Sequence, residues 1–152
     1  MRREPGSGWS AVLASDLRRA TETARIVADR LDLPLEVDAR LRELDVGAWT
    51  GLTRAEIEAF DRERLLAFES GEPTVRAGGG ESRLEIRRRS RDLMRDVSKR
   101  FGGCRLIVVT HLGVIRALLP GAEPSNAERF PAVAEELAER TSSPDRRCGG
   151  LL

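Results

Sequence analysis

At 152 residues the chain has the size of one compact domain able to bury a core around a sheet. Hydrophobic residues make up 40% and charged residues 34%, and 26 basic groups against 25 acidic ones leave a net charge of +1, which argues against a nucleic-acid footprint. No apolar run approaches the roughly 18 residues of a membrane span, and none follows the charged start MRREPGSGWS, so the sequence predicts a soluble cytoplasmic protein with neither a membrane nor a nucleic-acid partner.

Ala11 to Ala14 reads as a short buried strand, and Ser15 and Asp16 are placed to cap the helix predicted from Leu17 to Leu31. In that helix Ala20, Ala24, Val27, Ala28 and Leu31 form one apolar stripe for packing on a sheet. Pro34 follows its end, and Leu35 to Val37 is a second short strand. The segment RLRELDVGAWTGL has no clear periodicity and is expected to be a structured loop, with Trp49 as its anchor. Three capping boxes, Thr53 with Glu56, Ser82 with Glu85 and Ser125 with Glu128, predict helices over 54–68, 83–101 and 126–140.

Between the first two of these, GEPTVRAGGG has the composition of a mobile surface loop. Leu106 to Val109 is an unbroken apolar run, expected as a central strand covered on both faces. A short helix over Val114 to Leu119 follows Gly113. The expected fold is therefore α/β, a three-layer sandwich with a mostly parallel sheet and helices on both faces. Residues 1–140 form the domain and 141–152 a disordered tail. Cys104 and Cys148 have neither zinc spacing nor redox-pair spacing, which suits a reducing compartment.

In an open parallel sheet, ligands gather beyond the carboxyl ends of the strands. His111 ends the apolar strand, Arg18 and Arg19 lie one turn beyond the first strand, and Glu43 sits in the irregular segment between them. A guanidinium can grip phosphoryl oxygens, an imidazole can hydrogen-bond or attack phosphorus, and a carboxyl group can protonate a leaving alcohol. Each residue alone has a plainer reading: a structural histidine, two solvated helix arginines, and one charge in a charged run. All but one of the 26 basic residues are arginines, Lys99 being the exception, a bias that codon usage accounts for as well as phosphate recognition does.

Four segments in fixed order, SDLRRATETA, RLRELDVGAWTGL, GGGES and LIVVTHLGVIRALL, resemble the histidine phosphatase superfamily, also called phosphoglycerate-mutase-like, over about Val12 to Leu119. The resemblance implies a phosphomonoesterase that needs no metal or other cofactor, forms a phosphohistidine, and acts on a small-molecule phosphate ester. Carried over residue by residue, it makes Arg19 and His111 the phosphate-binding pair. Glu43 becomes the proton donor that later assists water, and His111 takes part in catalysis with it. Arg18 receives no role.

The family places an Arg-His-Gly strand and a helix ahead of the Ser-x-Leu-x-Arg-Ala segment, whereas here MRREPGSGWSAVLA precedes it and His111 is the only histidine. The resemblance thus implies an N-terminally truncated chain without the nucleophile, the first arginine clamp or the first central strand, inactive as it stands. Three readings follow: a phosphatase whose working form is longer, a non-catalytic phospho-ligand binder, and a domain completed through an exposed sheet edge by another chain or a second copy. A mutase is the remaining alternative. Residues 60–80, with Arg62, Arg64, Arg76, Glu63, Glu69, Phe60 and Phe68, are either the substrate selector or solvated loop charge.

Overall fold

A computed structural model describes residues 8–126 and 128–139. In chain order they form β1 (Trp9–Ala14), α1 (Arg18–Leu31), β2 (Leu35–Val37), α2 (Arg54–Glu69), α3 (Arg83–Phe101), β3 (Arg105–Val109), α4 (Leu112–Leu118) and α5 (Ala134–Glu139). Single 3-10 turns occur at Ala39–Leu41, Gly47–Trp49 and Ala77–Gly79.

The three strands make one parallel sheet in the order β2-β1-β3, with Val12 opposite both Leu35 and Ile107. Side chains alternate across a strand, so β1 feeds two cores. Ala11 and Leu13 pack with Leu41, Ile86, Leu93, Met94, Val97 and Val114 on one face. Val12 and Ala14 pack with Ala24 and Ala28 of α1 on the other. The expected α/β layering, helices on both faces of a parallel sheet, is what these residues build.

The central strand, however, is β1. β3 pairs with β1 and, among the described residues, with no second strand, so it lies at an edge. Val108 is 39% exposed. The apolar run does pack on both faces of the sheet, Leu106 against one core and Ile107 and Val109 against the other. Its outer hydrogen-bonding edge, however, is unpaired among the described residues, because a hydrophobic pattern reports which groups prefer burial and not which strand stands beside them.

Local chemistry accounts for the helix ends. Thr53 and Ser82 each accept a hydrogen bond from the amide three residues on, while Glu56 and Glu85 each accept one from the cap amide, completing both expected capping boxes. Ser125 and Glu128 make only half of the box: Glu128 Oε2 accepts from Ser125 N at 2.7 Å, but the Glu128 amide donates to the Ser125 carbonyl and not to its hydroxyl, and among the described residues of 126–140 the helix is found at Ala134–Glu139. Pro131 disfavours helical backbone at the residue before it and lacks an amide to donate, so no helix propagates from Ser125.

At α1 the cap position is Leu17, without a side-chain cap bond. Ser15 Oγ accepts only from Leu17 N at 3.2 Å, and Asp16 is engaged elsewhere. Ala20, Ala24 and Ala28 form the buried stripe as expected, but Leu31 is 37% exposed at the helix end.

The GEPTVRAGGG segment is not the loose loop its composition predicts. Ala77 is fully buried, and Arg76 bridges Ser82 in a short antiparallel contact. Gly78, at φ 55°, lies so close to the carbonyl of Val46 and the amide of Trp49 that a Cβ would overlap both. Glu81 N donates to Asp45 O at 2.7 Å, locking the segment to the one that carries Glu43. Trp49 is the expected anchor, buried edge-on against Phe68 with Nε1 donating to Asp61 at 2.9 Å. The tail 141–152 and Cys148 lie outside the described residues; Cys104 is an exposed free thiol.

Candidate active site

The register Ala14 to Val109 brings the carboxyl ends of β1 and β3 side by side, and Ser15 N donates to Val109 O at 3.0 Å. The first turn of α1 and the residues after β3 therefore leave the sheet together. Arg19 is the second residue of α1, exposed and without an ion pair among the described residues. Its neighbour Arg18 pairs with Glu22 at 2.7 Å in solvent.

His111 is the cap residue of α4 and is 8% exposed. Its Nε2 is buried with no hydrogen-bond partner among the described residues. Such an atom in a buried site costs free energy unless something else satisfies it. Thr110 Oγ1 donates to Leu41 O at 2.9 Å, fastening the end of β3 to the turn that leads to Glu43.

Glu43 closes the group. Its Oε1 accepts from its neighbour Leu44 N at 2.8 Å and from Gly113 N, two residues after His111, at 2.9 Å. Its Oε2 accepts none among the described residues. A Cβ on Gly113 would overlap Oε1, so the absence of a side chain there is what lets the carboxylate reach the amide.

The charges around His111 set its protonation. Burial is the largest influence and lowers its pKa below the ordinary 6.5; the Arg19 cation lowers it further, Glu43 opposes, Arg89 lowers it, and Asp16 opposes weakly. The imidazole is therefore neutral at pH 7, with one ring nitrogen able to donate and the other to accept. Asp16 is held by a two-bond fork from Arg42, Nε donating to Oδ1 at 2.7 Å and Nη2 to Oδ2, and this pairing holds its carboxyl below the usual range.

Arg19, Glu43 and His111 thus share one end of the sheet, as their sequence positions predict. Sequence reasoning missed Asp16 and Arg42, which flank them, and Arg89, which reaches the Glu43 segment from α3. Arg42 stands between Leu41 and Glu43 in a charged run, and Arg89 lies in the run RRRSR, where spacing gives no reason to prefer one arginine. A depression of about 390 Å³ is lined by Arg42, Glu43, Arg76, Glu81, Glu85 and Arg89, and neither Arg19 nor His111 lines it. The chemistry is better placed at the strand ends, where the unpartnered imidazole lies. Among the described residues no three of His, Cys, Asp and Glu cluster as a metal site, and no helix is long and apolar enough to cross a membrane.

Known proteins resemble this chain in sequence and fold. A sequence model of the histidine phosphatase superfamily, branch 1, matches residues 2–143. Glucosyl-3-phosphoglycerate phosphatase of Mycobacterium tuberculosis is 38% identical over 130 residues, covering 80% of this chain and 58% of that protein. A metal-independent phosphoserine phosphatase of Arabidopsis thaliana is 38% identical over 110 residues, covering 71% of this chain and 46% of that protein. The solved structure of mycobacterial glucosyl-3-phosphoglycerate phosphatase in complex with VO3 superposes with a TM-score of 0.65 at 34% identity, covering 84% of this chain and 62% of that one. The chain spans about half the length of the curated relatives it matches.

Proposed function

The chain belongs to the histidine phosphatase superfamily, and from that premise we propose that it is a metal-independent phosphomonoester hydrolase for a small phosphorylated metabolite, supplying the phosphate-binding and proton-transfer groups of the site. The observation that carries this reading is the Nε2 of His111 at the end of β3, buried and without a hydrogen-bond partner among the described residues, with Arg19 and the Glu43 carboxylate around it.

In the proposed reaction a histidine nitrogen forms a bond to phosphorus as the ester P–O bond breaks, and the proton on Glu43 passes to the departing oxygen. Oε2 is the oxygen suited to carry it, because Oε1 is taken by two amides. Water then attacks the phosphohistidine, its proton returning to Glu43 and phosphate leaving. Arg19 and the neutral imidazole of His111 stabilise the phosphoryl oxygens, donors fixed before charge develops. His111 is the only histidine, so a His111 that holds the phosphoryl group leaves the attacking imidazole to come from outside these 152 residues.

Calorimetric titration with orthovanadate or inorganic phosphate tests the reading. Binding should weaken about tenfold in Arg19→Ala, the loss of one charge-assisted contact. No heat of binding, or an affinity indifferent to Arg19, would defeat the proposal. The single histidine also favours a second reading, phosphoryl binding without turnover. Vanadate binding without hydrolysis of p-nitrophenyl phosphate fits both readings. Translating the DNA upstream in frame separates them, an apolar strand ending in Arg-His-Gly supporting the hydrolase and an in-frame stop without one selecting the second. Substrate choice and self-association are read from other features. Residues 61–79 border a depression of about 570 Å³ that shares Arg76 with the one beside Glu43, which suits the segment as substrate selector. The open edge of β3 suits pairing with a second copy; a monomeric mass by light scattering would remove that idea.

A further inference from the structure

Arg89 stands apart from the other charged residues of α3. Its side chain is 20% exposed, and its ion-pair partner Glu81 is 18% exposed, whereas Arg54, Arg76, Arg95 and Arg100 pair with their acids while half-exposed. Arg89 Nε and Nη2 donate to the two carboxylate oxygens of Glu81 at 2.7 and 2.8 Å. The same guanidinium then donates outward from α3, Nη1 to Arg40 O at 2.6 Å and Nη2 to Glu43 O at 3.2 Å. One fork thus holds both ends of the turn Arg40 to Glu43, and its anchor Glu81 is itself bonded through its amide to Asp45 O at 2.7 Å.

We infer that Arg89 is a positioning residue: clamped by Glu81, it fixes the main chain at Arg40 and Glu43 so that the Glu43 carboxylate rests on Gly113 N beside His111. The inference rests on the proposed proton-transfer role of Glu43. The physical reason for a charged fork at this place is geometric. Glu43 lies in an irregular segment between 3-10 turns, where no helix or sheet ladder sets its main chain. Two carbonyls of such a segment must be satisfied from outside it, and a guanidinium offers five donors in one rigid plane. A lysine would bring the charge without the fork.

The single histidine gives a clean reporter, because its ring resonances titrate alone in the whole chain. Arg89→Lys keeps the cation that acts on His111 and loses the fork. The expected result is a His111 titration midpoint displaced downward, since the Glu43 charge that raises it moves away, together with exchange of the Gly113 amide on the order of tenfold faster, the loss of a hydrogen bond to a charged acceptor. In a Glu43→Gln background the same Arg89→Lys change should leave the midpoint where it is, so the two substitutions couple. Glu81→Gln, which loosens the clamp from its other end, is expected to speed Gly113 exchange in the same way and stands in if Arg89→Lys does not fold. Unchanged Gly113 protection in a folded Arg89→Lys chain, or an equal midpoint displacement in both backgrounds, would overturn the inference and leave Arg89 as a structural ion pair. Neither readout involves phosphate, so failure of the vanadate titration would remove the hydrolase reading while these outcomes still decide whether Arg89 places Glu43.

Discussion

Gly113→Ala puts the geometry of the site to a test in which the sign of the effect carries the information. Gly113 is helical, with no positive φ, so alanine there would ordinarily stabilise the chain by up to about 1 kcal/mol through helix propensity and a less flexible unfolded state. Against that stands the Glu43 carboxylate. A Cβ at 113 overlaps Oε1, and its second neighbour, Ile86 Cδ1, lies at 3.2 Å, a side-chain end able to yield. Accommodating the methyl group means driving the carboxylate off its 2.9 Å bond to Gly113 N. Overpacking of this kind costs about 1–3 kcal/mol, and losing a hydrogen bond to a charged acceptor about 1.5–3 kcal/mol more at the upper limit. Set against the gain of up to about 1 kcal/mol, the net expectation is destabilisation of about 1.5–5 kcal/mol, read as a lower urea midpoint at unchanged slope. The decisive control is Glu43→Ala. With no carboxylate to displace, Gly113→Ala should become neutral or stabilising, a reversal of sign within one double-mutant cycle. If Gly113→Ala stabilises the parent chain, or costs the same in both backgrounds, Glu43 is not seated on that amide and the described site is wrong.

The pH dependence has a definite sign. Because the folded pKa of His111 lies below its ordinary 6.5, the unfolded chain takes up a proton first; this contribution to stability is complete above about 6.5 and is lost as pH falls from there through the folded value. Urea midpoints measured from about pH 7.5 to about pH 5 should decline, and His111→Asn should flatten that decline; equal slopes would count against a neutral buried imidazole. Asp16→Asn should move the His111 midpoint further down, since the Asp16 carboxylate raises it, and Arg19→Ala should move it up; ring resonances report both. Leu41→Ala, at a fully buried position beneath the turn that leads to Glu43, should cost about 2–5 kcal/mol in chemical denaturation, and a loss below about 1 kcal/mol would mean that turn is not part of the core. Ser82→Ala removes a completed capping box and should lower stability by about 1 kcal/mol, checked the same way.

Much of this molecule is legible along the chain because its causes are local. The alanine stripe of α1, the capping boxes at Thr53 and Ser82 and the β-branched run of β3 act through bonds and burial within a few residues, so pattern predicts element. Where a local signal met a stronger non-local one it failed. Asp16 has the chemistry of a helix cap, but Arg42, 26 positions away, takes its carboxylate into a two-bond fork. The glycines of GEPTVRAGGG have the composition of a loose loop, yet two of them, Gly78 and Gly80, serve close backbone packing against Asp45 to Trp49.

The site divides the same way. Residue types and order place Arg18, Arg19, Glu43 and His111 where phosphoryl chemistry could gather them, at the ends of parallel strands, and the family resemblance picks Arg19, Glu43 and His111 from that group. Which face of Glu43 is held, which nitrogen of His111 is left unpartnered, and why one arginine among so many bears on the carboxylate depend on contacts 46 to 70 residues apart in sequence. Neither does sequence tell that β1 and not β3 lies at the centre of the described sheet. A strand's apolar pattern encodes its wish for cover, while its neighbours are chosen by the packing of the whole chain, so that information exists only once the sheet has formed.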